Sequence, residues 1–397
     1  MPLVALLVCV VVAGVLPPAA SQELVPGEVL GGGKEVSEKE KRQNTVYEFE
    51  PLTERFQQAT AALRDHVKKL REVVIRFNVA SAEENRRWQD RFQELIDEGV
   101  GIHQEFLQAA IEEYRQGLEN KEPLGNMLFK ILERNIDRDR FDGMVELAQA
   151  LLDGGYQHED LEGYLVMAAY GLCRFDIVEP HLEQLIARGV VSDRFLHVHA
   201  NLEQIKQDWA EELEYRRQDA QGEPLPRALL RTTKGDIEVE LFENQAPETV
   251  ANFIHLAESG FYDHHLFHRV IPHFMAQTGD PLGDGTGGPG YAIYDEHHRP
   301  DHRKFFRGYL GMARTAAPNS AGSQFFITFL PTFDLNGQYT VFGRVVKGIE
   351  VLSNLRRVDP DSKTDSEEDK GLPLDELIEV RILSKRNHPY EPHKVEG

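Results

Sequence analysis

"FHRVIPHFMAQTGD", residues 267–280, sets one arginine in a run that otherwise reads as buried strand. Phe267, Val270, Ile271, Phe274 and Met275 surround Arg269, and Gln277 stands two residues past the methionine. A guanidinium among core-forming residues has two readings. Either its stem is buried and its head reaches water, or its charge faces a pocket. The flanking sequence decides which.

On both sides of this stretch the pattern is one of short strands. "QGEPLPR" at 221–227 is a Pro-rich break, after which the character changes from helix to strand. "ALLRTTKGDIEVELF" holds two strand-like runs about Thr233-Lys234-Gly235-Asp236, the second alternating Ile237, Val239 and Leu241 with charged residues. "APETVANFIHLAESGFY" predicts a short helix, with Pro247 near its start, Val250, Phe253, Ile254 and Ala257 on one face, and Gly260 at its end. Further strands are expected in 266–271, 274–278, 309–313, 324–329 and 340–345. "IEVLSNLRRV" reads as a second helix and "LDELIEVRILSK" as a closing strand. Between them "DPDSKTDSEEDKGLP" is an acidic, solvated loop. Many short strands and two helices predict a closed antiparallel β-barrel over 226–388, followed by a tail at 389–397.

Before the break the chain reads as all-helical over 46–220. Phe49, Leu52, Phe56, Ala59, Leu63, Val67, Leu70, Val74 and Phe77 recur at steps of three and four. "SAEE" at 81–84 has the form of a capping box and opens a second helix with Trp88, Phe92, Leu95 and Ile96 on one face. Gly99 and Gly101 are expected to interrupt it before a third stretch with Phe106, Ala110, Tyr114 and Leu118. The seam suits an intramolecular helical hairpin or a dimer, the hairpin being the commoner outcome. Over 124–220 a weak repeat appears. "RFD" at 140–142 returns at 174–176, and the same 34-residue step carries Leu151-Leu152 onto Leu185-Ile186, Gly155 onto Gly189, Leu161 onto Phe195 and Phe175 onto Trp209. That period resembles three degenerate tetratricopeptide repeats, which would form a concave partner-binding surface or a helical domain packed only on its neighbour.

The 397 residues suit two domains plus tails. A net charge of −22 speaks against nucleic acid as the main partner, because a phosphate backbone would be repelled. Leu3–Leu16 is an apolar run too short to span a bilayer. It is followed by Pro17-Pro18 and by small residues at 19 and 21, so 1–21 reads as a secretory signal peptide, with a retained anchor as the alternative. Residues 22–45, with three successive glycines at 31–33 and "KEVSEKEKRQ", read as a flexible linker. The expected location is exported, periplasmic or extracellular. Cleavage would remove Cys9 and leave Cys173 in "YGLCRF", a buried inert thiol with no partner for a disulfide.

Four motifs in order give residues 228–385 a resemblance to the cyclophilin-type peptidyl-prolyl cis-trans isomerases: "FHRVIPHFMAQTGD", "GDGTGGPGY", "GYLGMARTAAPNSAGSQFFIT" and "DLNGQYTVFGRVVKGIEVL". The resemblance implies a barrel with a shallow outer groove for an X-Pro segment. It also implies Arg269 as the catalytic arginine, and Phe274, Met275, Phe326 and Leu335 as the apolar cup for the proline ring. Gln277 and Gln324 match polar side chains nearby, and Gly285 and Ala313 match positions lining the groove. On this reading the charge faces a pocket. In the twisted X-Pro amide the nitrogen lone pair is localised, and a guanidinium that cannot lose its proton binds that state better than either planar isomer.

The chain departs from the family pattern in three places. Asp334, before Leu335, replaces the tryptophan that helps relatives bind cyclosporin. Tyr339 stands where relatives carry a groove histidine. Arg314 replaces an asparagine in the segment 312–322, which is one residue longer than the eukaryotic pattern and looks bacterial. Weak cyclosporin binding with retained isomerase chemistry is expected.

Other candidates are weaker. "GDGTGGPG" lacks a following Lys-Ser/Thr and a helix, so it reads as a turn-rich loop, not a phosphate site. Eight of the 16 histidines fall between His255 and His302, at spacings that match no standard metal site. No cofactor or metal is expected. The expected function is isomerisation of X-Pro bonds in exported proteins, the helical module selecting the client. The alternative is a catalytically weak scaffold that binds proline segments.

Overall fold

The structure is a computed structural model that describes residues 53–79, 82–116, 121–360 and 373–395. The expected signal peptide and linker, and most of the acidic loop, lie outside the described residues. The chain divides into two compact units: one comprises residues up to 135 with 143–165, the other 136–142 with 166–397.

In the first unit, helix α1 (Glu54–Val79) and helix α2 (Ala82–Arg115) form an antiparallel hairpin. Thr53 bonds Glu113 and the His66 ring lies against Gly99, so the contacts pair early residues of one helix with late residues of the other. Phe56, Ala59, Leu63, Val67, Leu70 and Val74 are buried, as their spacing requires. Gly99 and Gly101 do not interrupt α2, which runs through both. A Cβ at Gly99 would stand 2.5 Å from the His66 ring, so this glycine permits close helix contact. Its weaker helix propensity is overridden by that packing. Helix α3 (Glu122–Asp137) and helix α4 (Met144–Asp153) complete this helical region.

Helices α5 (Leu161–Gly171), α6 (Phe175–Ala187) and α7 (Asp193–Gln221) follow. Two turns recur at the 34-residue step. Asp139 and Cys173 are both left-handed, with φ of 60° and 56°, as are Gly155 and Gly189, with φ of 77° and 69°. Tyr156 N donates to Leu151 O and Val190 N to Leu185 O in the same pattern. From Cys173 the next step finds no third turn, and from Gly189 it falls on Glu223, just past the end of the helix. Gln207 and Trp209 lie inside α7, which contains no glycine or proline to break it.

The second unit carries one curled antiparallel sheet in the order β3-β9-β1-β2-β8-β6-β7-β5-β4. Its strands are β1 (Arg227–Thr232), β2 (Gly235–Leu241), β3 (His265–Leu266), β4 (Arg269–Ile271), β5 (Met275–Thr278), β6 (Tyr309–Met312), β7 (Phe325–Thr328), β8 (Val341–Lys347) and β9 (Glu376–Ser384). The single run expected at 266–271 is two strands. β3 pairs with β9 and β4 with β5. The ends of the sheet are therefore joined covalently through the buried Phe267-His268, although no ladder links β3 to β4 among the described residues.

Helix α8 (Pro247–Glu258) and the short helix α9 (Ile349–Ser353) cover the inside. Val250, Phe253, Ile254 and Ala257 pack there with Val270, Ala276, Leu310 and Ile327 in the main core. Neighbours along those strands point the other way. Met275, Tyr309 and Phe326 join Phe305, Phe306 and Val341 in a second, outer cluster, against which Cys173 and Trp209 pack. Burial pushes the Cys173 thiol up to about 12, so it stays protonated at neutral pH.

Candidate active site

The register of four neighbouring strands assembles the site. Arg269 on β4 stands opposite Gln277 on β5, Gln277 opposite Phe326 on β7, and Phe326 opposite Gly311 on β6. Directly opposed residues share a face, and residues two apart on a strand do too. Met275, Gln324 and Ala313 therefore lie on this same outer face. Arg269 and Phe326, two strand spacings apart, are roughly 10 Å from each other at the backbone.

Arg269 is half-buried. Among the described residues no hydrogen bond or ion pair engages its guanidinium, although 66 carboxylate-bearing residues are present in the chain. An arginine left unpaired on an acidic protein is available to a ligand.

Beside it is the apolar cup. Met275 and Phe326 are buried in the outer cluster, and Phe274, Ala313, Leu335 and Tyr339 pack on it partly exposed. Phe326 stacks on Phe305 with centroids 5.4 Å apart and meets Tyr339 edge-on at 5.7 Å. Phe333–Leu335 is a single 3-10 turn that presents Leu335, and Asp334 within it is exposed.

The polar wall is a relay of amides. Gln277 Nε2 donates to Gln324 Oε1 at 2.9 Å, and Gln324 Nε2 donates to the carbonyls of Gly285 and Gly287 at 3.0 and 2.9 Å. The glycine-rich loop is in turn wound on Asp280, which accepts from the backbone N–H groups of Leu282 and Asp284 at 2.8 and 3.1 Å and from that of Gly285. Burial tends to raise the Asp280 pKa. The backbone donors outweigh it and hold the carboxyl below its usual range.

Arg314 does not reach into the groove as a free donor. Its Nε donates to Gln338 O at 2.8 Å, its Nη1 to the carbonyls of Thr315 and Ala317, and its guanidinium lies over the Tyr339 ring at 5.7 Å. It buttresses Tyr339 and the 312–322 segment. Ala313 N donates to Gln324 O at 2.9 Å, which fixes the segment's start.

Sequence reasoning missed several contributors. Gly311 lies within a quoted motif, yet its role appears only in three dimensions: a Cβ there would come within 2.3 Å of Phe326 and 2.6 Å of Phe305. Phe305, which backs Phe326, belongs to no quoted motif. The histidines of 255–302 do not gather: no group of three or more His, Cys, Asp or Glu side chains suited to a metal stands together among the described residues. No described helix is long and apolar enough to cross a membrane.

Residues 228–374 match the family described as cyclophilin type peptidyl-prolyl cis-trans isomerase. A peptidyl-prolyl cis-trans isomerase of Arabidopsis thaliana is 50% identical over 137 residues, 34% of this chain and 21% of its own. The chain thus spans about a fifth of that relative's length. Peptidyl-prolyl cis-trans isomerase-like 1 of Aspergillus fumigatus is 44% identical over 153 residues, 38% of this chain and 89% of its own. A peptidyl-prolyl cis-trans isomerase of Synechococcus elongatus is 47% identical over 137 residues, 34% of this chain and 92% of its own.

Proposed function

The chain belongs to the cyclophilin-type peptidyl-prolyl cis-trans isomerases, and on that premise we propose that it isomerises X-Pro bonds with Arg269 as the catalytic residue. The observation that carries this is the unpaired Arg269 guanidinium in register with Gln277 and Phe326. A proline ring seated against Phe326, Met275 and Leu335 would bring its nitrogen toward that charge.

The barrier to rotation is roughly 18–20 kcal/mol because the lone pair is delocalised into the carbonyl. A charged hydrogen bond to the localised lone pair is worth about 1.5–3 kcal/mol, or roughly one to two decades of rate. Desolvation in the cup and restraint of the flanking backbone by the amide wall supply the rest. The substrates are proline-containing segments of unfolded or folding proteins. An exported location rests on the apolar run Leu3–Leu16. Partner binding by tetratricopeptide-like helices is supported by the recurring turns at Asp139/Cys173 and Gly155/Gly189. The long 312–322 segment with Arg314 favours a bacterial-like branch, and the Phe267-His268 link favours a functionally closed barrel.

The test is NMR exchange of a short X-Pro peptide with the full chain and Arg269→Ala. Acceleration by the first and a roughly ten- to hundredfold loss in the second, with peptide affinity largely kept, is expected. Binding without acceleration by the unmutated chain would make it a proline-binding scaffold. Adding cyclosporin should inhibit weakly, because exposed Asp334 offers no indole.

A further inference from the structure

The β4–β5 turn holds His273 immediately before Phe274 and Met275, and His273 is left-handed, with φ 58°. Side chains enter that region at a cost, so something must hold it. Its backbone N–H donates to Asp139 Oδ1 at 2.9 Å, and its ring Nδ1 stands 2.8 Å from the same oxygen. Its carbonyl accepts from Arg194 Nη1 at 2.6 Å. Asp139 is buried, and its other oxygen accepts from Arg357 at 2.7 Å. The opposite wall is tied in the same manner: buried Tyr170 OH donates to Pro331 O at 3.0 Å, four residues before Leu335.

Asp139, Tyr170 and Arg194 all precede the family-matched residues 228–374, yet they belong to the compact unit that carries the sheet. We propose that Asp139, Arg194 and Tyr170 are positioning residues for isomerisation, holding the two walls of the proline cup in place from outside the family's own segment. The proposal deepens the isomerase reading and rests on it. Without its anchors His273 relaxes to negative φ, and the start of β5 turns with it. Phe274 and Met275 then leave the outer cluster they share with Phe326. The proline ring is held less well, while Arg269, one strand away, keeps its charge and register.

The experiment compares full-length Arg194→Ala, Tyr170→Phe and Asp139→Asn with the unmutated chain, and with Arg299→Ala, whose side chain bonds Asp301 and the Asn244 carbonyl and no cup residue, as a control. Arg194 is exposed, so its variant folds even if Asp139→Asn, which faces buried Arg357, does not. KM and kcat for an X-Pro peptide are read together with the Met275 methyl resonance. Arg194→Ala should raise KM roughly three- to tenfold with kcat little changed, and should move the Met275 resonance. Arg299→Ala should do neither. A lower melting temperature with unchanged KM and an unmoved Met275 resonance would overturn the proposal and leave these residues a purely structural role. Inactivity of the unmutated chain would instead overturn the isomerase reading itself, whatever the Met275 resonance says of the anchors.

Discussion

Gly311 and Phe326 form one unit at the residue scale. Phe326 lies flat on Phe305 only because nothing projects from the facing strand, and a methyl there would overlap both rings. Gly311→Ala must therefore push Phe326 off Phe305 or bend β6. Overpacking of this kind costs about 1–3 kcal/mol, and here the displaced group is the floor of the cup. Lower stability in denaturant and a reduced kcat/KM are expected together; a stable variant with unchanged exchange rates would show that the ring has room to move. Arg269 and Phe326 stood out as candidates in sequence because a charged or aromatic side chain within a motif draws attention, and the register of β4, β5 and β7 puts them on one face. Gly311 did not. Its requirement comes from Phe305 stacking on Phe326, a contact between segments that linear spacing does not relate.

Among the elements, the loop from Asp280 to Gly287 is built around a carboxylate, not around a bound phosphate. A Cβ at Gly287 would fall 2.0 Å from Asp280 Oδ1, and Gly285 is left-handed with φ 89°, so both glycines answer to this winding. Asp280→Asn replaces an acceptor for three backbone N–H groups with a side chain that is half donor. Stability should fall by about 1–3 kcal/mol, and the Asp284 and Gly285 amides should exchange faster with solvent. Unaltered exchange there would show that Gln324 alone holds the loop. The carboxyl is held below its usual 3.8, so its contribution is present above that pH and is lost as the solution is acidified through the lower folded value. Turn composition revealed the loop but not its axis. Helix α2 shows the opposite failure: two glycines suggest a break, and contact of Gly99 with His66, 33 positions away in the sequence, overrides it. The 34-residue step coincides with left-handed turns at Asp139/Cys173 and Gly155/Gly189 and fails inside α7, where it meets a helix without glycine or proline.

For the whole molecule, the Pro-rich break at 221–227 marks where helix gives way to strand, but composition does not say which helices pack with the sheet. Asp139 meets His273 across 134 residues, and Glu212 of α7 shares one oxygen between Arg216 and buried Arg303. Such contacts leave no local pattern. They also put many ionisable groups in the interior, which ties stability to pH. His268 near Gly285, His265 on β3 and His66 in the helical hairpin are all buried. Desolvation lowers the pKa of each below 6.5. A group whose folded pKa is depressed binds protons first in the unfolded chain, so stability is present above 6.5 and declines as pH falls toward the folded values. Two effects oppose this on acidification. The net charge of −22 is reduced, which relieves self-repulsion. Glu296, raised above 4.5 by burial, also favours the folded state as pH falls through its own window, from the raised value down to 4.5. A single melting curve therefore does not isolate the histidines; a difference does. Neither ring nitrogen of His268 makes a well-formed hydrogen bond among the described residues, and the nearby Leu266 carbonyl already accepts from Thr278 Oγ1, so phenylalanine can replace it without orphaning that acceptor. Between pH 8 and 5.5 the melting temperature of His268→Phe should fall less, or rise more, than that of the unmutated chain, because charge relief and Glu296 act equally on both. Parallel curves would mean that His268 takes up its proton as readily folded as unfolded, and the pH dependence would have to come from His265 and His66 alone.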